Sequence, residues 1–204
     1  MGILSSLKRI LAPQKIADRG SLRAFMESRA AYLVQKSINE YSQARAGVLY
    51  STMMREPIFL AGYERARWLS YPASISMIAE MVEGALRENT ASSAGALDAA
   101  LQGIAAEILA QYTQHSGFDE AFWNEATARV ARDLAQAALA PPKPVQNIPH
   151  LRVSEIFDAL PVNDQLKQHD FAMFHNTIRF HLTELKVEFE EKADMPRLAA
   201  TLAA

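Results

Sequence analysis

Apolar positions recur at helical spacing almost throughout this chain, and no run alternates with the period of two that a half-buried strand requires. Ile3, Leu4, Leu7, Ile10 and Leu11 fall on one side of a short amphipathic helix over residues 3–11, which ends before Pro13. A long helix follows over residues 21–55. At about 100° per residue, Leu22, Met26, Leu33, Ala44 and Val48 share a side, and Val34, Ile38, Tyr41 and Leu49 widen it. So broad an apolar arc implies more than one neighbour.

Pro57 fits the first turn of a third helix running to Leu69, and Pro72 starts a fourth that carries Ile75, Ile78, Val82 and Leu86. After a small-residue break at 89–95, Leu97, Leu101, Ile104 and Ile108 mark a fifth. A turn at 114–117 follows, where Ser116 and Asp119 resemble a capping box. It leads to a helix with Phe122, Ala126, Val130 and Leu134, so that the two helices form an αα-hairpin. Four prolines between Pro141 and Pro149 read as an extended linker. A helical turn at 154–159 precedes a last long helix over 163–192, and the tail from Asp194 forms a further half-turn or frays.

That last helix carries two apolar stripes. Phe171, Phe174, Ile178, Leu182, Leu185 and Phe189 are spaced 3-4-4-3-4, as in a coiled-coil seam. Met173, Phe180 and Val187 stand seven apart on a different side. One helix cannot form its own core, so it packs on the preceding body, on a second subunit, or on both. The seam is assigned to the body and the second stripe to a subunit or ligand contact. The organisation expected is an N-terminal amphipathic segment (1–13), a helical body (14–140), a Pro-rich linker (141–150) and a C-terminal helical segment (151–204). The fold class is all-α, a bundle of six to eight helices with the long C-terminal helix packed on the body.

Composition supports this. Alanine, the best helix former, supplies 35 of the 204 residues and glycine only 8. With no cysteine, disulfides, zinc–thiolate sites and cysteine nucleophiles are excluded. The longest stretch without Asp, Glu, Lys or Arg, Trp68–Ala79, is too short for a transmembrane helix. Net charge is −2, so no global basic field points to nucleic acid. Locally, a basic N-terminal third precedes an acidic middle. That pattern fits complementary packing of helices, or a bipolar surface that meets a partner.

Catalytic signatures are missing: there is no G-x-S-x-G elbow, Walker loop or G-x-G-x-x-G, and no H-E-x-x-H or E-x-x-H. His169, His175 and His181 are six residues apart on one helix, so they splay to three faces and cannot share a metal. His169-Asp170 resembles the dipeptide of all-helical HD-type phosphohydrolases, but only 34 residues follow it, too few for that fold.

Two candidate surfaces remain. Arg65, Arg67, Trp68 and Tyr71 form the densest polar-aromatic cluster, suited to phosphate or carboxylate. The 3–11 segment sets Ile3, Leu4, Leu7, Ile10 and Leu11 against Lys8 and Arg9, a pattern that docks on the protein's own core, on a neighbouring subunit or weakly on an anionic membrane surface. The expected function is a non-catalytic helical interaction protein, homo-oligomeric or bound to a protein partner, cytoplasmic or peripheral to a membrane. The alternatives are a small-molecule-binding bundle with an apolar pocket and an Arg/aromatic mouth, and an enzyme with a dispersed site.

Overall fold

The computed structural model describes residues 15–89, 94–114 and 116–202. The 3–11 segment, with the docking role assigned to it, lies outside these residues. Among them the chain is all-α, with helices α1 (Arg19–Ala46), α2 (Tyr50–Met53), α3 (Pro57–Asn89), α4 (Ala94–Ala110), α5 (Glu120–Ala138), α6 (Val153–Ala159), α7 (Asp164–Lys167), α8 (Phe171–Lys192) and α9 (Met195–Leu202). Two of the nine, α2 and α7, are single turns that periodicity does not register.

A reciprocal cap starts α1. Asp18 Oδ1 accepts from the Ser21 amide at 2.8 Å, and Ser21 Oγ accepts from the Asp18 amide at 3.1 Å. The helix buries Leu22, Phe25, Met26, Leu33, Val34, Ile38 and Tyr41. It stops at Ala46 rather than near residue 55, because Gly47 turns into the left-handed region at φ 51°. Beyond it Gly47–Leu49 wind as a 3-10 turn, so Val48 and Leu49 leave the apolar face and stand 94% and 61% exposed. Ala44, in the last turn of α1, is also exposed.

The third and fourth expected helices are one. α3 passes through Pro72 without a break. Proline in a helix interior removes one backbone hydrogen bond and costs about 3 kcal/mol, which the packing around this helix outweighs. Every residue from Ser70 to Ala79 is buried, and α3 touches α1, α4, α5, α6, α8, α9 and the 145–151 segment. A helical stretch without a solvent face needs residues that are apolar or small all round. The charge-free stretch Trp68–Ala79 is therefore the axis of the bundle.

α4 and α5 pack together as expected, but their connection is built differently. Asp119 caps α5 by accepting from the Phe122 amide at 2.9 Å. Ser116 is not part of a capping box; its Oγ accepts from Trp123 Nε1 at 2.9 Å. The Pro-rich segment lacks regular structure only over 141–144. Residues Val145–Leu151 wind as a 3-10 helix, and Val145 and Ile148, one 3-10 turn apart, are buried against the body.

The last long helix begins at Phe171, not at residue 163. Before it, Lys167 is turned inward and donates to the carbonyls of Phe157 and Asp158 at 3.1 and 3.0 Å. This closes α6 and holds α7 as a separate turn. The seam of α8 is buried from Phe174 to Phe189, and the helix packs on α1, α3, α6 and the 145–151 segment. Phe171 is the exception at 42% exposure; in the first turn its ring is stacked on His175 and edge-on to Phe157. The tail forms α9, with Leu198 fully buried. A parallel bridge joins Ile16 to Ala193, with Ile16 N donating to Lys192 O at 3.0 Å and Asp194 N to Ile16 O at 2.9 Å.

Candidate functional site

The Arg65–Tyr71 cluster divides between two sides of α3. Arg65 lies over the Phe118 ring, 5.3 Å from its centroid, in an open depression with Glu64, Trp68 and Ser116. Arg67, Trp68 and Tyr71 converge with Ala31, Val34 and Tyr112 on a separate cavity of about 90 Å3. Trp68 forms part of both walls.

Three rings meet at this cavity at close range. Trp68 lies 5.1 Å from Tyr112 and 6.1 Å from Tyr71, and Tyr71 stands edge-on to Tyr112 at 5.3 Å. The Tyr112 hydroxyl donates to Glu27 Oε1 at 2.6 Å, and the Tyr71 hydroxyl reaches the Glu27 carbonyl at 3.5 Å and interacts with the Tyr112 hydroxyl. Burial, with the neighbouring Tyr112 second, drives the Tyr71 phenol far above its ordinary range, so it stays protonated. Arg67 Nη1 holds both oxygens of Glu64, at 2.8 and 3.0 Å, as a surface pair within α3. Sequence spacing could reach Arg67, Trp68 and Tyr71 because they share one helix. Ala31, Val34 and Tyr112 carry no local signal, since only tertiary packing brings them to the cavity.

The second stripe of α8 stays outside the core. Met173, Phe180 and Val187 are 49%, 60% and 50% exposed, while Phe174, Ile178 and Leu182 on the opposite side are buried. Beside the stripe, His181 is buried between carboxylates: Nε2 lies 2.8 Å from Glu40 and Nδ1 3.3 Å from Glu184. Further exposed apolar residues are Val48 and Leu49 beyond the end of α1 and Ile58 in the first turn of α3, which is 90% exposed.

Other histidines and acids are engaged apart from these surfaces. The His150 and His175 rings lie 4.7 Å apart where the 145–151 segment meets α8. Asp170 of the His-Asp dipeptide is held by Tyr41 at 2.7 Å and by Arg45. Asp133 takes a two-pronged contact from Arg152, which also pairs with Glu155 at 2.5 Å, tying α5 to α6. Among the described residues no three His, Asp or Glu side chains converge where they could hold a metal ion, and no helix is long and apolar enough to cross a membrane. Comparison of the chain with protein-family models, with curated proteins and with solved structures found no match.

Proposed function

We propose that this chain is a non-catalytic helical interaction protein that pairs with a second copy of itself through the outer face of α8. The observation carrying this reading is the exposed stripe Met173, Phe180 and Val187 on a helix whose other face is core. Residues seven apart return to nearly the same side of a helix and form a seam that a second helix can fill.

The face is also self-complementary. A two-fold interface requires each patch to meet itself, so residue i contacts j and j contacts i. Antiparallel pairing centred on Phe180 sets Met173 against Val187 and each Phe180 against its counterpart. The same register brings Thr177 opposite Thr183 and Asn176 opposite Glu184. Apolar groups then occupy the centre and hydrogen-bonding groups the rim, the usual anatomy of an interface. In the same reading the protein works in the cytoplasm, and residues 3–11 give it a weak, salt-sensitive hold on an anionic membrane surface.

Sedimentation equilibrium tests the pairing. The native chain is expected to approach dimer mass as its concentration rises. Phe180→Glu is expected to stay monomeric with unchanged helicity. Asn176→Glu, which opposes two carboxylates across the proposed register, weakens the dimer, and Asn176→Lys strengthens it. A native chain that is monomeric at every concentration, or a Phe180→Glu variant that still dimerises, overturns the reading.

A further inference from the structure

The cavity between α1, α3 and Tyr112 lies away from the outer face of α8 and carries a separate inference. Its walls are of two kinds. Ala31, Val34 and the rings of Trp68, Tyr71 and Tyr112 form an apolar chamber, and Arg67 is the charged group of the lining. Glu64 occupies only Nη1 of Arg67, which leaves the other guanidinium donors for a ligand. An exposed pair three residues apart on one helix exchanges readily. We propose that this cavity binds a short-chain monocarboxylate, its aliphatic tail among the three rings and its carboxylate on Arg67.

Size and charge select this class. A dry protein cavity that takes up benzene measures about 150 Å3, and this one, at about 90 Å3, is smaller. It suits a tail of about two to four carbons rather than an aromatic ring. Three aromatic walls would otherwise suggest a quaternary ammonium ion. Here Arg67, in the same lining, repels a positive ligand. The nearby Glu27 carboxylate is already engaged by Tyr112 at 2.6 Å. The Tyr71 hydroxyl is taken up by the Glu27 carbonyl and the Tyr112 hydroxyl, so Arg67 receives the carboxylate.

Trp68 lines the cavity and supplies the readout. The full-length protein is titrated with sodium butyrate, and with butanol and tetramethylammonium chloride as neutral and cationic probes of similar size. Tryptophan fluorescence and heat of binding are followed. Butyrate is expected to saturate and to bind about tenfold or more tightly than either control, a difference that one charge-assisted hydrogen bond supplies. Arg67→Gln is expected to lose about that factor. Ala31→Leu, which fills the cavity, is expected to abolish binding while still melting cooperatively, and Phe180→Glu to bind as the native chain does. No saturable response to butyrate, tighter binding of the cation, or native affinity in either Arg67→Gln or Ala31→Leu overturns the proposal.

Discussion

Arg87 closes on Glu83, one turn earlier in α3, and in the same posture caps the end of α5. Its Nη2 donates to Glu83 Oε2 at 2.9 Å and to the Ala137 carbonyl at 3.1 Å, and its Nη1 donates to the Ala140 carbonyl at 2.8 Å. Glu83 has no exposed surface. The buried carboxylate and the open carbonyls of a helix C-terminus share one cation.

Removing that cation is expected to be costly. Arg87→Ala leaves Glu83 buried without a counter-charge and should destabilise the fold by about 3–5 kcal/mol in urea denaturation. Replacing both partners with apolar residues, Glu83→Leu with Arg87→Met, should cost much less, because no charge is then left in the core. Equal losses in the single and double variants would show that the packing of Arg87, not the pair, stabilises this contact.

The buried seam of α8 makes a simpler expectation. Phe174 and Leu182 are 1% and 0% exposed. Truncating either to alanine should destabilise by about 2–5 kcal/mol, the range for large core side chains. The measurement is the shift in denaturation midpoint at constant slope. A loss below about 1 kcal/mol in both would contradict the packing described.

Acid should loosen the contact between the 145–151 segment and α8. Burial pushes the His175 imidazole below its ordinary range, and His150 and Arg179 beside it act in the same direction. With the folded pKa depressed, the unfolded chain binds the proton first. The stability from neutral His175 is therefore complete above the ordinary histidine range and is lost as pH falls through the folded value. Lowering pH from about 7 to about 5 should reduce the melting temperature, and His175→Gln should flatten that dependence. The Asp170 and Glu188 carboxyls are also depressed, Asp170 chiefly by Arg45 and Glu188 by Lys192 and Arg29 against its own burial. Their contributions are lost only further into acid.

The segment preceding the bundle calls for a direct measurement. Under the proposed membrane contact, vesicles rich in anionic lipid should co-sediment the full-length chain at low salt and release it as salt rises, with Lys8, Arg9 and Lys15 as the basic groups. A chain lacking residues 1–12 should remain in the supernatant. Equal binding by both chains would place the lipid contact elsewhere, and no binding by either would remove it.

How far each feature could be read from the sequence depended on whether its cause was local. The phase of α8 was legible because Phe174 to Phe189 repeat at helical spacing and one face is buried. Continuity through Pro72 was not, since what outweighs the lost hydrogen bond is packing from elements distant in sequence. Gly47 offered a local hint of a stop, but the apolar residues beyond it mimicked a continuing face. The Pro-rich segment concealed a short 3-10 period, Val145 to Ile148, beneath a composition typical of extended chain. At the cavity, one helix gave away Arg67, Trp68 and Tyr71, while Tyr112 arrives from a different part of the chain.

The burial of α3 on all sides from Ser70 to Ala79 bears on how the molecule opens. A helix covered by most of the other elements cannot meet water by fraying at one edge. Its central amides, from Ile75 to Ala79, are released only when several neighbours depart together. Hydrogen exchange there therefore follows the global opening free energy, whereas α2 and the Val48–Leu49 tip exchange through small local openings. The axis of the bundle thus couples its surrounding helices into one cooperative unit, and a disturbance at any of them is felt along the whole length of that axis.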